Sequence, residues 1–84
     1  MRWERRRDLE GGKELGVWLL VSDSGDVEKE LYVESHEYRD DGFDVHVAKD
    51  GEWKKRGVFD GPRQAFSLAY EILDESPYPI DKIE

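Results

Sequence analysis

FDVHVAKDGEWKKRGVFDGPRQAFSLAYEIL, residues Phe43 to Leu73, changes its apolar period partway along, and that change decides the fold. Over Phe43–Ala48 apolar and polar residues alternate, with Phe43, Val45 and Val47 on one side and Asp44 and His46 on the other. Such alternation marks a half-buried strand, because successive strand side chains point to opposite faces. Trp53–Phe59 reads as its hairpin partner, and register separates two possible turns. A two-residue Asp50-Gly51 loop sets Val45 opposite Arg56 and mixes the faces. A three-residue Lys49-Asp50-Gly51 loop, with Gly51 as the left-handed residue, sets Val47 opposite Trp53 and Asp44 opposite Arg56, so this loop is expected. From Pro62 the period becomes helical. Ala65, Phe66, Ala69, Ile72 and Leu73 share one stripe through Glu75, as in a helix laid on a sheet. Asp60 or Gly61 can cap this helix, Pro62 suits its first position, and Ser76-Pro77 ends it.

Upstream, Leu15–Ser22 is apolar on both faces, with Leu15, Val17, Leu19 and Val21 on one and Trp18 and Leu20 on the other. A strand of that kind is central or covered twice. Ser22 to Asp26 is a turn cluster. Val27–Tyr38 alternates again: Val27, Leu31 and Val33 face one way, and Glu28, Glu30, Tyr32, Glu34, His36 and Tyr38 the other. Arg39-Asp40-Asp41-Gly42 forms the next turn. Arg2–Leu9 alternates as an edge strand would, although its arginines also favour helix, and Gly11-Gly12 breaks it. The expected fold is therefore α+β, a single domain spanning 1–84. It is an antiparallel meander of four strands, or five if the N-terminal stretch pairs, with one C-terminal helix across a face. Residues 1–13 form an arm or edge strand. Residues 76–84 form an extended tail, with Ile80 and Ile83 available to dock it.

The net charge of −8 is unevenly distributed along the 84 residues. Ten carboxylates between Glu14 and Ala48 face two cations, Lys29 and Arg39, whereas residues 1–13 and 49–63 are each net positive. Such a distribution disfavours a nucleic-acid backbone as ligand and favours a basic protein surface. The absence of cysteine excludes a disulfide framework, a thiolate metal site and a cysteine nucleophile. The longest apolar run, Val17–Val21, falls far short of the roughly 20 residues of a membrane span. The arginine-rich start lacks the apolar segment of a secretory signal, so the expected location is the cytoplasm. Aromatic content of 12% and periodic apolar residues argue for a folded chain despite 40% charged residues.

Few residues suggest catalysis. The serines occupy no G-x-S-x-G context, and no phosphate-binding glycine motif occurs, so no enzyme activity and no cofactor are expected. His36 and His46 point outward near Glu34 and Asp44, a set that suits zinc, but no ligand-spacing motif accompanies them. Lys54, Lys55, Arg56 and Arg63, with Arg2, Arg5, Arg6 and Arg7, make the basic counterpart. Arg63 at the positive end of the helix dipole, and Asp74 and Glu75 at the negative end, each oppose it by about 0.3–1 kcal/mol when exposed.

Within Phe43–Leu73, an aromatic-led strand, a glycine turn, a Lys/Arg-rich strand ending in Phe and a helix with Ala and Phe inward follow one another. In Trp53, Lys54, Lys55, Arg56, Phe59, Ala65 and Phe66 this run resembles the β-hairpin–helix of the arm-type and AP2-like DNA-binding domains of phage integrases. The resemblance implies a sheet that enters the major groove. The neighbouring strand departs from that pattern, because Glu28, Glu30 and Glu34 would repel closely spaced phosphates. In charge, size and lack of catalytic motifs the chain is similar to small acidic phage inhibitors of the anti-CRISPR and DNA-mimic type, whose carboxylates stand in for phosphates. The expected function is a non-enzymatic interaction protein. Glu28, Glu30, Tyr32, Glu34, Tyr38 and Asp44 would meet a basic surface of a nucleic-acid-binding protein. The alternatives are a small nucleic-acid-binding module using Arg5, Arg6, Lys54, Lys55, Arg56 and Arg63, a metal- or pH-responsive protein using His36 and His46, and a structural domain without ligand. A second copy could complete a sheet edge or cover the open face, giving a homodimer.

Overall fold

A computed structural model describes residues 1–36 and 42–82. Six strands and one helix follow in the order β1 (Arg2–Arg5), β2 (Glu14–Val21), β3 (Val27–His36), β4 (Gly42–Lys49), β5 (Glu52–Phe59), α1 (Pro62–Glu75) and β6 (Ile80–Lys82). The sheet order is β5-β4-β3-β2-β1-β6. Its first five strands form the expected antiparallel meander. The chain then crosses beneath the sheet as α1 and adds β6 at the far edge, parallel to β1. Trp3 N–H donates to Pro79 O at 2.8 Å where this last pairing begins. The N-terminal strand is thus internal, paired on both sides. The tail docks through backbone pairing and through Tyr78, which packs on the core, while Ile80 stays exposed. Tyr38, the turn at 39–41 and Ile83 lie outside the described residues.

The helix covers one face. Trp3, Trp18, Leu20, Leu31, Val33, Val45 and Val47 bury against Ala65, Ala69, Ile72 and Leu73, with Phe43, Phe59 and Phe66 at the margins. This is the stripe that the helical spacing predicts, and α1 has the expected bounds. Gly61 occupies the N-cap position without a side-chain cap, leaving Pro62 to start the helix. Gly16 allows close packing here, since a Cβ there would lie 2.9 Å from the buried Trp18 ring and 3.0 Å from Phe66.

The β4–β5 hairpin corrects the expected register. Lys49 pairs with Glu52, Ala48 with Trp53 and Val47 with Lys54, so the loop is the two-residue Asp50-Gly51. Both turn residues have positive φ (53° and 81°), as a twist-matched two-residue hairpin requires. The mixing of faces that argued against this loop is avoided by a bulge. Ladder pairing passes from His46–Lys55 to Val45–Gly57 and leaves Arg56 as the extra residue. Asp44 is therefore opposite Val58, not Arg56, and Trp53 lies on the face away from the helix.

Candidate functional site

That second face carries Glu30, Tyr32 and Glu34 of β3, as alternation predicts. Its residues fall into rows across the strands. One row runs Leu19, Glu30, Ala48, Trp53; the next Val17, Tyr32, His46, Lys55; the third Glu14, Glu34, Asp44, Val58. Val17, Leu19 and Val21 form a second buried cluster there, on the face away from α1, and Tyr32 packs against them.

The aromatic centre of this face lies toward β5. Because Ala48 is small, Tyr32 and Trp53 meet across β4, with ring centroids 5.1 Å apart. His46 adds an edge contact at 6.3 Å from the indole. Trp53 remains 56% exposed and Val58 60% exposed, whereas Trp3 and Trp18 are buried. The Tyr32 hydroxyl donates to Glu30 Oε1 at 2.8 Å. Burial, followed by that hydrogen bond, pushes the phenol up to about 12.

The acidic residues divide into two groups. Glu34 and Asp44 belong to an internal ion chain: Lys13 Nζ is 3.4 Å from Glu34, and His46 Nε2 is 3.7 Å from Glu34 and 3.4 Å from Asp44. Lys55 Nζ completes the chain 3.4 Å from Asp44, whose side chain is 1% exposed. Like charges at the directly paired Glu34 and Asp44 would otherwise destabilise the sheet. These two carboxylates are therefore compensated within the molecule. Glu28 is exposed and Glu30 half-buried beside Tyr32. Neither is ion-paired among the described residues, and Glu30 lies in the row that leads through Ala48 to Trp53. Of the expected partner-binding residues, Glu30, Tyr32, Glu34 and Asp44 share this face, and Tyr38 falls outside the described residues. Glu28 is the extra residue where the β2–β3 register shifts, and it lines a hollow with Leu20, Glu75 and Tyr78 at the end of the helix.

His36 and His46 are not cross-strand neighbours, since His36 pairs with Gly42 and His46 with Tyr32. Among the described residues, no group of three or more His, Asp or Glu side chains is arranged to hold a metal ion. No described helix is long and apolar enough to cross a membrane.

The basic residues expected to act together are dispersed. Alternation sends Lys55 to the open face and Lys54 to the helix side. Arg5 lies on the helix side, its guanidinium 4.5 Å from the centre of the Trp18 ring. There it donates to both carboxylate oxygens of Glu10, at 3.0 and 3.2 Å, and this hydrogen bonding raises its pKa. Arg6 donates to Asp8 at 2.7 Å, which holds the Asp8 carboxyl below its usual range. Arg63 is exposed in the first turn of α1. Arg5 is thus a structural cation rather than part of a free arm.

The exposed role of Trp53 was not expected, because the three-residue turn placed it opposite Val47. The signal was present in Asp50-Gly51, a dipeptide suited to positive φ at both positions. Comparison with family models, with curated proteins and with solved structures finds no match to this chain.

Proposed function

We propose that this chain is a non-enzymatic interaction protein that docks its open sheet face on a basic protein surface, of the kind nucleic-acid-binding proteins present. The observation that carries this reading is the exposed Trp53 indole, packed on Tyr32 in a neighbourhood that holds Glu30 and Glu14, neither of them ion-paired among the described residues. Tryptophan and tyrosine dominate the energetics of many interfaces, and an arginine of the partner could stack on the indole while pairing with a carboxylate. Each cation–π contact of that sort contributes about 0.5–2 kcal/mol. Acid along the adjoining strand would accelerate encounter with a basic partner.

Inhibition of a nucleic-acid-binding machine by phosphate mimicry is the finer form of this reading. Its support is narrower than charge counting implies, since Glu34 and Asp44 already lie beside Lys13 and Lys55. An aromatic centre with acid at one side fits the geometry better than a row of phosphate surrogates.

Calorimetric titration of the chain with an oligoarginine peptide tests the reading. Saturable binding is expected, lost in Trp53→Ala and weakened in Glu30→Lys. Glu34→Lys is a poor test, because it would break the ion pair with Lys13 and place a cation beside His46. Undiminished binding by Trp53→Ala would remove the aromatic face from the account.

A further inference from the structure

The opposite face holds a feature with contrary charge. Beyond the area that α1 covers, a hollow of about 450 Å³ is lined by Lys29, Lys49, Lys54 and Arg56 together with Val47, Asp50 and Glu52. Its volume lies within the range of about 300–1,000 Å³ usual for small-molecule sites. The four cations come from β3, β4 and β5. Alternation brings Lys49 and Lys54 to the helix side, and the β-bulge sets Arg56 as an extra residue beside them. Lys29 and Lys49 also line a neighbouring hollow against the end of the helix, with Glu28, Glu75 and Tyr78.

Their pairing state sets these residues apart from several other cations among the described residues. Arg2, Arg5, Arg6, Lys13 and Lys55 each lie within 4 Å of a carboxylate. None of the four in the hollow does so among the described residues, although Asp50 and Glu52 stand on the same rim. A protein of net charge −8 thus gathers four unmatched cations in one concavity. Four cations outnumber the two carboxylates of the lining, and a concave surface with an excess of one sign focuses the field and concentrates counter-ions. Gathered like charges repel, and a multivalent anion relieves that repulsion.

We infer that this hollow binds a compact polyphosphate group, either free or carried by a small molecule. Arg56 supplies a planar fork suited to two phosphate oxygens, and the lysines act as point charges around it. The carboxylates of Asp50 and Glu52 at the rim, and the acid on the reverse face, oppose the long track of phosphates a polynucleotide presents. The site is separate from the Trp53 face and does not depend on it.

The test is calorimetry of the full chain with inorganic tripolyphosphate at fixed ionic strength. Saturable binding is expected in the unaltered chain. Losing two charged contacts in Lys54→Ala/Arg56→Ala should weaken it at least roughly tenfold. Lys55→Ala, which removes one positive charge from the same strand but on the other face, should leave it unchanged. A parallel titration with adenosine triphosphate separates the sources: equal affinity assigns recognition to the phosphates, and tighter binding adds the nucleoside to the site. Failure to saturate overturns the proposal, as does an equal loss in Lys55→Ala. Stronger, steeply salt-dependent binding of single-stranded oligothymidine also overturns it, by making the ligand a polynucleotide.

Discussion

Tyr32 and Trp53, on strands separated by β4, stack with their ring centres 5.1 Å apart above Ala48. Two local facts create this pairing. Asp50-Gly51 closes a two-residue hairpin that puts Trp53 opposite Ala48, and Ala48 has no bulk to separate the rings. The result is an exposed indole held in a defined orientation, which lowers the entropy cost of using it in recognition.

The Tyr32 phenol gives the face a measurable alkaline signature. Its pKa rises from 10.0 to about 12 through burial and the hydrogen bond to Glu30. A raised folded-state pKa means the associated stability is complete below the unfolded value and disappears as pH climbs through the folded one. The melting temperature should therefore fall between pH 10 and about 12, and Tyr32→Phe should make that fall shallower. Tyrosinate absorbance should likewise lose its latest-titrating component in the variant. Identical alkaline profiles for the two proteins would contradict the assignment.

Asp44 and Lys55 should be energetically coupled. Removing one partner of a buried pair costs about 3–5 kcal/mol, but Lys55 is half exposed and His46 also adjoins Asp44, so about 1–2 kcal/mol is expected for Lys55→Ala. Lys54→Ala, one residue away on the other face, should change stability by less than about 0.5 kcal/mol. A double-mutant cycle over Asp44→Ala and Lys55→Ala, read by urea unfolding, should give a coupling of about 1 kcal/mol. Additive effects would show the ion chain to be energetically idle.

Gly16→Ala should destabilise the fold by about 1–3 kcal/mol, as overpacking does. The new methyl would meet the Trp18 ring at 2.9 Å, and that ring is confined by Arg5, Phe66 and Tyr70. Chemical unfolding measures the loss. An unchanged midpoint would mean the Trp18 ring can move aside without cost.

Much of this architecture was legible in particular residues. Lys29 to Ser35 alternate cleanly, so the faces of that part of β3 followed from period alone. Val27 did not join Leu31 and Val33 in the core, because the β2–β3 register shifts at Glu28 and pairs Val27, half exposed, with Val21. Pro62 and the apolar stripe from Ala65 to Leu73 defined the helix to its bounds. Register across β4–β5 was not legible, because a bulge at Arg56 restores the facing that the two-residue Asp50-Gly51 loop would otherwise mix, and alternation alone does not reveal a bulge. β6 was missed because Ile80–Lys82 is three residues long and pairs with the distant Arg2–Arg5. The site was half legible. Charge and tyrosines marked the face, but whether a carboxylate is matched depends on side chains such as Lys13 and Lys55 that only the three-dimensional register brings near.

The most direct measurement of the central claim is amide chemical-shift mapping of the isotopically labelled chain during titration with an oligoarginine peptide. The account predicts saturating shifts centred on Glu30, Tyr32, Ala48 and the Trp53 indole N–H, with little change along α1. Shifts spread evenly over every acidic segment, or centred on the helix while Trp53 stays still, would contradict it.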